Sequence, residues 1–286
     1  MTGPKLYAMD TFFYTSIGTY RFEARCEMIK ELGFDAMYLT YWGKQSWEEA
    51  LNLRSVHEKY GLGVAGMNAV VEIEEEVNDQ SNAQILSLLR ELEGCPAVEL
   101  SLKASAHPVC SDESRDHYAL QWLEAALQIA EERGIRLLLY PHCGHWLERT
   151  EDAVRLCRQL PHPLLGMTFS GYHWYVADGE GLRNKLKLAM PYLGLVNKCG
   201  SRKIPGIQAG LPATIETLDA GELDNFVLLS WLQKLGYQGP IGFQGYAAGG
   251  DVYSKLRRNL EAYYDMSARL QAHPSWSDLE AKLPWL

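Results

Sequence analysis

The sequence predicts a single-domain α/β protein, a (β/α)8 TIM barrel, from three observations. Short apolar runs alternate with amphipathic helical patterns, the alternation repeats eight times, and glycines fall where helices should end. The runs are Leu6–Met9, Ala36–Leu39, Gly63–Met67, Val98–Leu102, Arg136–Tyr140, Leu165–Phe169, Leu193–Asn197 and Ile241–Gln244. Between them, segments such as RFEARCEMIKELGF, SWEEALNLRSVHEKYG, NAQILSLLRELEG, ALQWLEAALQIAEERG and TEDAVRLCRQL carry apolar residues at helical spacing. Gly33, Gly61, Gly134 and Gly236 each fall just before the next run, where a left-handed backbone ends a helix. Strand–helix alternation implies a parallel sheet with helices outside, and eight units close into a barrel. The rival is a doubly wound open sheet, but no GxGxxG follows the first run and no GxxxxGK[ST] occurs anywhere.

At 286 residues, 47% hydrophobic and 22% charged, the chain fits one such domain over residues 1–286 without staples. The tail SARLQAHPSWSDLEAKLPWL (267–286) reads as a C-terminal extension, packed on the barrel or serving as a dimer arm in a homo-oligomer. A net charge of −9 with no Lys/Arg run argues against nucleic acid or an anionic membrane as partner. The 6 cysteines are scattered without a CxxC pair, as in a reduced core. The N-terminus has no basic stretch followed by an apolar one, and no run is long enough to span a bilayer, so a cytoplasmic location is expected.

In such barrels chemistry gathers at the C-terminal strand ends and the loops behind them. Those positions hold Asp10, Tyr41, Trp42, Asn68, Lys103, Tyr140, His142, Ser170, His173, Asn197, Lys198, Gln244 and Tyr246. Aromatic faces beside amides and hydroxyls suit a small sugar, with its apolar C–H faces and rim of hydroxyls.

The stretches LLLYPHCGHWLERTEDAVRL, GMTFSGYHWYVADG and YQGPIGFQGY resemble strands five, six and eight of the xylose-isomerase-like barrels, which include sugar phosphate isomerases, epimerases and inosose dehydratases. The likeness runs from about Leu6 to Asp265 and implies proton-transfer chemistry on a sugar. It also implies a divalent metal such as Mn²⁺, held by Glu, Asp, His and Glu on strands five to eight. The matching positions here are Tyr140, Ser170, Asn197 and Gln244. None is a carboxylate or imidazole, and uncharged oxygens hold Mn²⁺ or Mg²⁺ weakly, so no metal or other cofactor is expected. The resemblance is to a subgroup lacking the usual ligands.

Without a metal, the expected catalytic groups are His142 and His173 for proton transfer and Lys103 and Lys198 as the cation facing an enediolate. The two imidazoles should flank one sugar at roughly 5–9 Å. Asp10, Tyr41, Trp42, Asn68, Tyr140, Ser170, Asn197, Gln244 and Tyr246 are expected to bind substrate. Each has a plainer reading: Asp10 as a helix cap, Tyr41 and Trp42 as core, and each histidine as a hydrogen-bonded structural residue. His145 is expected at the barrel mouth. The acidic run Glu72–Glu76 reads as a solvated loop or helix start, and 201–221 reads as a lid carrying Arg202 and Lys203. The leading expectation is a sugar isomerase or epimerase. A lyase or dehydratase on a keto-sugar or keto-glycoside, and a sugar-binding barrel without catalysis, are the alternatives. A metal enzyme using His142, His173 and Asp10 is a third reading.

Overall fold

The computed structural model describes residues 3–73, 79–204 and 212–278. Eight parallel strands form a closed barrel in chain order. They are β1 (Leu6–Met9), β2 (Ala36–Thr40), β3 (Gly63–Glu72), β4 (Ala97–Lys103), β5 (Arg136–Leu139), β6 (Leu165–Ser170), β7 (Leu193–Lys198) and β8 (Ile241–Phe243). β1 closes the ring, pairing Tyr7 with Ala36 on one side and with Gly242 on the other. β3 outgrows the expected run because its last residues, through Glu72, pair with β4 as far as Lys103.

The helices outside are α1 (Phe22–Glu31), α2 (Trp47–Asn52), α3 (Val56–Tyr60), α4 (Gln80–Glu91), α5 (Asp116–Arg133), α6 (Thr150–Gln159), α7 (Gly171–Ala177), α8 (Leu182–Ala189), α9 (Asn225–Lys234) and α10 (Val252–Ala272). Gly61 and Gly134 end α3 and α5 with φ of 60° and 66°, the left-handed stop expected from their spacing. Side-chain caps fix the starts of α7, α9 and α10, where Ser170, Asp224 and Asp251 accept from main-chain N–H groups one turn on. α10 runs to Ala272, so the first residues assigned to the C-terminal extension belong to this helix. A short 3-10 turn over Pro274–Asp278 follows it. The remainder of the tail, residues 74–76 of the acidic run with the two that follow, and residues 205–211 of the expected lid lie outside the described residues. No described helix is long and apolar enough to cross a membrane.

Strand alternation divides the core into two. Outward residues such as Leu6, Met37, Leu100, Leu137 and Phe243 pack under the helices in one large cluster. Inward residues Tyr7, Met9, Ala36, Tyr38, Ala65, Ala97, Leu138 and Leu195 fill the barrel. Tyr7 and Tyr38 stack at 5.7 Å between ring centroids, and a side chain at Gly242 would overlap the Tyr7 ring at 2.1 Å. The same alternation decides two expected site residues. On β7 Asn197 turns inward, so Lys198 turns outward and is fully buried under α9, where its ammonium donates to the Asn225 carbonyl at 3.2 Å. Beyond β2, Tyr41 likewise turns outward into the helix layer, edge-on to Trp47.

A carboxyl group lies among the inward aromatics. Glu99 accepts from the Tyr38 hydroxyl, from Thr168 Oγ1 at 2.7 Å and from Asn197 Nδ2 at 3.1 and 3.3 Å. Complete burial pushes its pKa up from the ordinary carboxyl value to about 7, against the lowering effect of those donors. Between the unfolded value, about 4.3, and 7 the native chain holds a proton that the unfolded chain has released. Stability from this group is therefore full at acid pH and lost as pH rises through that window, by about 4 kcal/mol at most. Glu99→Gln should flatten this dependence. In urea unfolding, the stability of Glu99→Gln relative to the native sequence should rise from about pH 5 to about pH 8. A constant difference would show that Glu99 stays ionised throughout.

Candidate active site

Above the Glu99 layer the barrel opens into a cavity of ≈ 250 Å³ at the C-terminal strand ends. Its wall includes Thr40, Asn68, Tyr140, His142, His173 and Gln244 of the polar residues, and Trp42, Tyr172 and Tyr246 of the aromatics. Tyr140 is the first residue past β5 and continues its inward alternation. Its hydroxyl lies within electrostatic reach of Ser170 and Asn197, directly above the Glu99 network. Asn68 donates toward the Glu99 carbonyl and Ser101 Oγ, each at 3.4 Å. Gln244 is buried, and among the described residues its side-chain Oε1 has no hydrogen-bond partner. An orphaned acceptor on a cavity wall is suited to a ligand hydroxyl.

The loop from β5 to α6 carries three features that make one cluster with α7. The His142 main chain donates to Leu147 O at 2.9 Å, which turns the PHCGH segment back over the barrel mouth. The rings of His142 and His145 stack at 3.9 Å between centroids, and those of His142 and His173 lie equally close. His173 comes from the first turn of α7, where its main-chain N–H donates to Ser170 Oγ at 3.4 Å. The expected spacing across a sugar is thus corrected: the imidazoles stand side by side on one wall. The physical reason is that α7 begins at once after β6, which lays its first turn against the β5 loop.

Hydrogen bonds assign the tautomers. His142 Nδ1 faces the Cys143 carbonyl at 2.9 Å, and a carbonyl only accepts, so Nδ1 carries the proton and Nε2 the lone pair. His173 Nδ1 meets the Cys143 main-chain N–H at 3.4 Å and the thiol at 3.3 Å. Both are donors, so this nitrogen accepts and His173 Nε2 bears the proton. Burial pushes the Cys143 thiol up to about 12, which keeps it a donor. Burial likewise lowers His142 to about 4 and His145 to about 3, and takes His173 well below its usual value. All three rings are neutral at pH 7.

Other expected residues take different places. Asp10 lies outside the cavity wall, fully buried. It accepts from Thr40 N and, at 2.8 Å, from Thr40 Oγ1, as well as from the Tyr14 hydroxyl, with Arg25 at 3.7 Å. Its carboxylate is used up in anchoring the 3-10 turn Asp10–Phe13 to β2, and burial raises its pKa to about 6. Ser170 and Asn197 support the wall from behind: Ser170 caps α7, and Asn197 takes the Tyr7 hydroxyl while donating to Glu99. Lys103 ends β4 on the inward side, half-buried and outside the lining. Its charge reaches His142 and His145 and helps hold both neutral. With Lys198 under α9, neither lysine enters the cavity. Arg202 pairs with Glu216 at 2.7 Å, and the Lys203 ammonium stands over the Tyr175 ring at 5.3 Å.

The residues at the four positions implied for a metal do not fit one. Asn197 and Ser170 have their oxygens engaged, and Tyr140 and Gln244 add no formal charge. Sequence reasoning missed Glu99, although polar residues at 99, 101 and 103 of β4 mark an inward polar stripe. It also missed Cys143, whose partner His173 lies 30 positions away and meets it only through the packing of α7.

Comparison with known proteins places this geometry. The family model for the xylose isomerase-like TIM barrel matches residues 26–266. A putative hydroxypyruvate isomerase from Xenopus laevis is 28% identical over 140 residues, 47% of this chain and 46% of that protein, so the match spans about half the length of that curated relative. Among solved structures, an L-ribulose 3-epimerase superposes with a TM-score of 0.75 at 13% identity, covering 98% of this chain and 99% of that one. A probable 3-DHS dehydratase from Bacillus anthracis gives 0.71 at 12% identity, covering 91% and 98%. At such identities the superpositions establish the shared barrel, and with the match over residues 26–266 they carry the assignment: the chain belongs to the xylose isomerase-like TIM barrel family.

Proposed function

We propose that this barrel is a sugar isomerase or epimerase that moves a proton on the carbon beside a carbonyl. The observation that carries the reading is the complementary pair of neutral imidazoles on one cavity wall. His142 offers a lone pair at Nε2, and His173 offers a proton at Nε2. A base and a hydrogen-bond donor side by side match the α-carbon and carbonyl oxygen of a keto-sugar, which are neighbours in the substrate. His142 takes the proton, and His173 donates to the oxygen that becomes enediolate. A neutral donor suffices where the surroundings are dry and preorganised. Tyr140 and Gln244 hold the remaining hydroxyls, and Trp42 and Tyr246 supply faces for the C–H side of the ring. This assignment replaces the two lysines as the electrophile.

His142→Ala should lower turnover by about 10², the usual scale of general acid–base catalysis, and His173→Ala by a similar factor. The assay is deuterium incorporation from D₂O at the carbon beside the carbonyl, across a panel of ketoses. No incorporation with retained ketose binding would leave a sugar-binding barrel or a lyase. The pH dependence is a second check. The base must be neutral, and burial sets His142 at about 4, so kcat/KM should hold down to about pH 5 and fall below it. An acid limb near the ordinary imidazole value would reject His142 as the buried base.

A second reading has one observation in its favour: ligand atoms of His142, Cys143 and His173 all lie within 4.8 Å of one another. Two imidazoles and a thiolate with an open fourth position form a zinc-type donor set. His142, His173 and the Cys143 thiolate would hold such an ion, which would supply Lewis acidity to a substrate oxygen. Asp10, engaged with Thr40 and Arg25, has no place in it. Under the leading reading, dialysis against EDTA leaves exchange activity and melting temperature unchanged. Zinc retained at about one equivalent, and lost in Cys143→Ser, would promote the second reading.

A further inference from the structure

We infer that the site has an outer compartment built for a second sugar ring, so that the substrate is a neutral disaccharide or glycoside whose carbonyl-bearing ring enters the inner cavity. This inference rests on the proposed proton-transfer reading for the role of the inner ring. The outer compartment, ≈ 580 Å³, adjoins the inner one, and Trp42 and Tyr246 belong to the walls of both. Their rings stand 6.3 Å apart at 35°, and Tyr14 meets Trp42 edge-on at 5.9 Å. Trp42 is 52% exposed and Tyr246 39%, large apolar surface left open at the junction of two cavities. The Trp42 position is fixed, because its main-chain N–H donates to Ser46 Oγ at 3.0 Å. Flat aromatic faces held open in this way suit stacking against pyranose C–H surfaces. The inner cavity alone is smaller than the roughly 300–1,000 Å³ of ordinary ligand sites, and with the outer one the cleft falls within that range.

The polar wall of the outer compartment sets the charge of its occupant. Arg25 lines it and is 5% exposed, and its Nε–H is buried with no hydrogen-bond partner. Its other nitrogens face Glu49 and Asp10. The guanidinium charge is therefore already offset by two acids, while one donor remains for a ligand oxygen. Glu49 and Gln45 add an acceptor and an amide on the same wall. A phosphate would meet Glu49 without any free cation to repay it, and the described inner lining holds no Lys or Arg. Hydroxyls satisfy these groups; a phosphate ester does not.

The test is calorimetric titration of the intact protein with ketose monosaccharides (fructose, allulose, tagatose), keto-disaccharides (lactulose, turanose, isomaltulose) and fructose 6-phosphate. At least one disaccharide should bind about tenfold or more tighter than every monosaccharide, and the phosphate ester should bind no better than fructose. In Trp42→Ala the ratio of disaccharide to monosaccharide affinity should fall to near one, a readout independent of any general loss of fold. Equal affinities in the native sequence, a ratio unchanged in Trp42→Ala, preference for the phosphate ester, or binding of no disaccharide would each overturn the outer subsite. Deuterium exchange separates the two proposals. Exchange on monosaccharides without a disaccharide preference removes the outer subsite alone, whereas a disaccharide preference without exchange removes the proton-transfer reading alone.

Discussion

Everything above the middle of the barrel depends on one buried carboxyl group finding its partners. Glu99 is fully enclosed, and an uncompensated carboxylate there would cost more than the fold could bear. Its donors come from β2, β6 and β7, so the requirement ties four strands to one register. Asn197 in turn is held by Tyr7 of β1, and Tyr140 stands over it at the cavity floor. A shift of one residue on any of these strands would turn the partner into the helix layer. The network thus converts a packing problem into a rigid platform on which the cavity wall is built.

The site placed on that platform is lined by neutral residues where the family resemblance implies charged ones. The strands that would supply carboxylates and imidazole for a metal supply tyrosine, serine and two amides instead. The proposed proton-transfer pair lies two or three residues further out, at His142 and His173. The barrel can carry this change because the strand ends are spent on hydrogen bonding, leaving the loops free to present new groups. Desolvation does the tuning: crowding three imidazoles at 3.9 Å between rings, beside Lys103, makes a protonated ring costly and keeps a base available well below neutral pH.

Asp10 and Arg25 show the same economy at the outer edge. The acid just past β1 does not line the cavity. It joins Thr40, Tyr14 and Arg25 into the wall between barrel and α1, and the Arg25 Nε–H there has no partner among the described residues. Trp42 and Tyr246, reaching in from the loops after β2 and β8, then join two cavities into one cleft.

The sequence by itself determined the barrel, because eight apolar runs, helical spacing and left-handed glycines are local properties that each segment carries alone. It also marked His142, His173, Tyr140, Asn68, Gln244, Trp42 and Tyr246, since a strand end followed by polar or aromatic residues is visible in one dimension. Inward and outward positions were readable in part: alternation along β7 separates Asn197 from Lys198 once its register is known, and the stripe at 99, 101 and 103 marks β4. Only the tertiary structure decided that Cys143 meets His173, that His142 and His173 share a wall, and that Asp10 is consumed by Arg25 and Thr40. Those contacts join residues 15 to 31 positions apart across different elements. Their distances follow from how α7 and α1 pack on the barrel, a packing that no local spacing encodes.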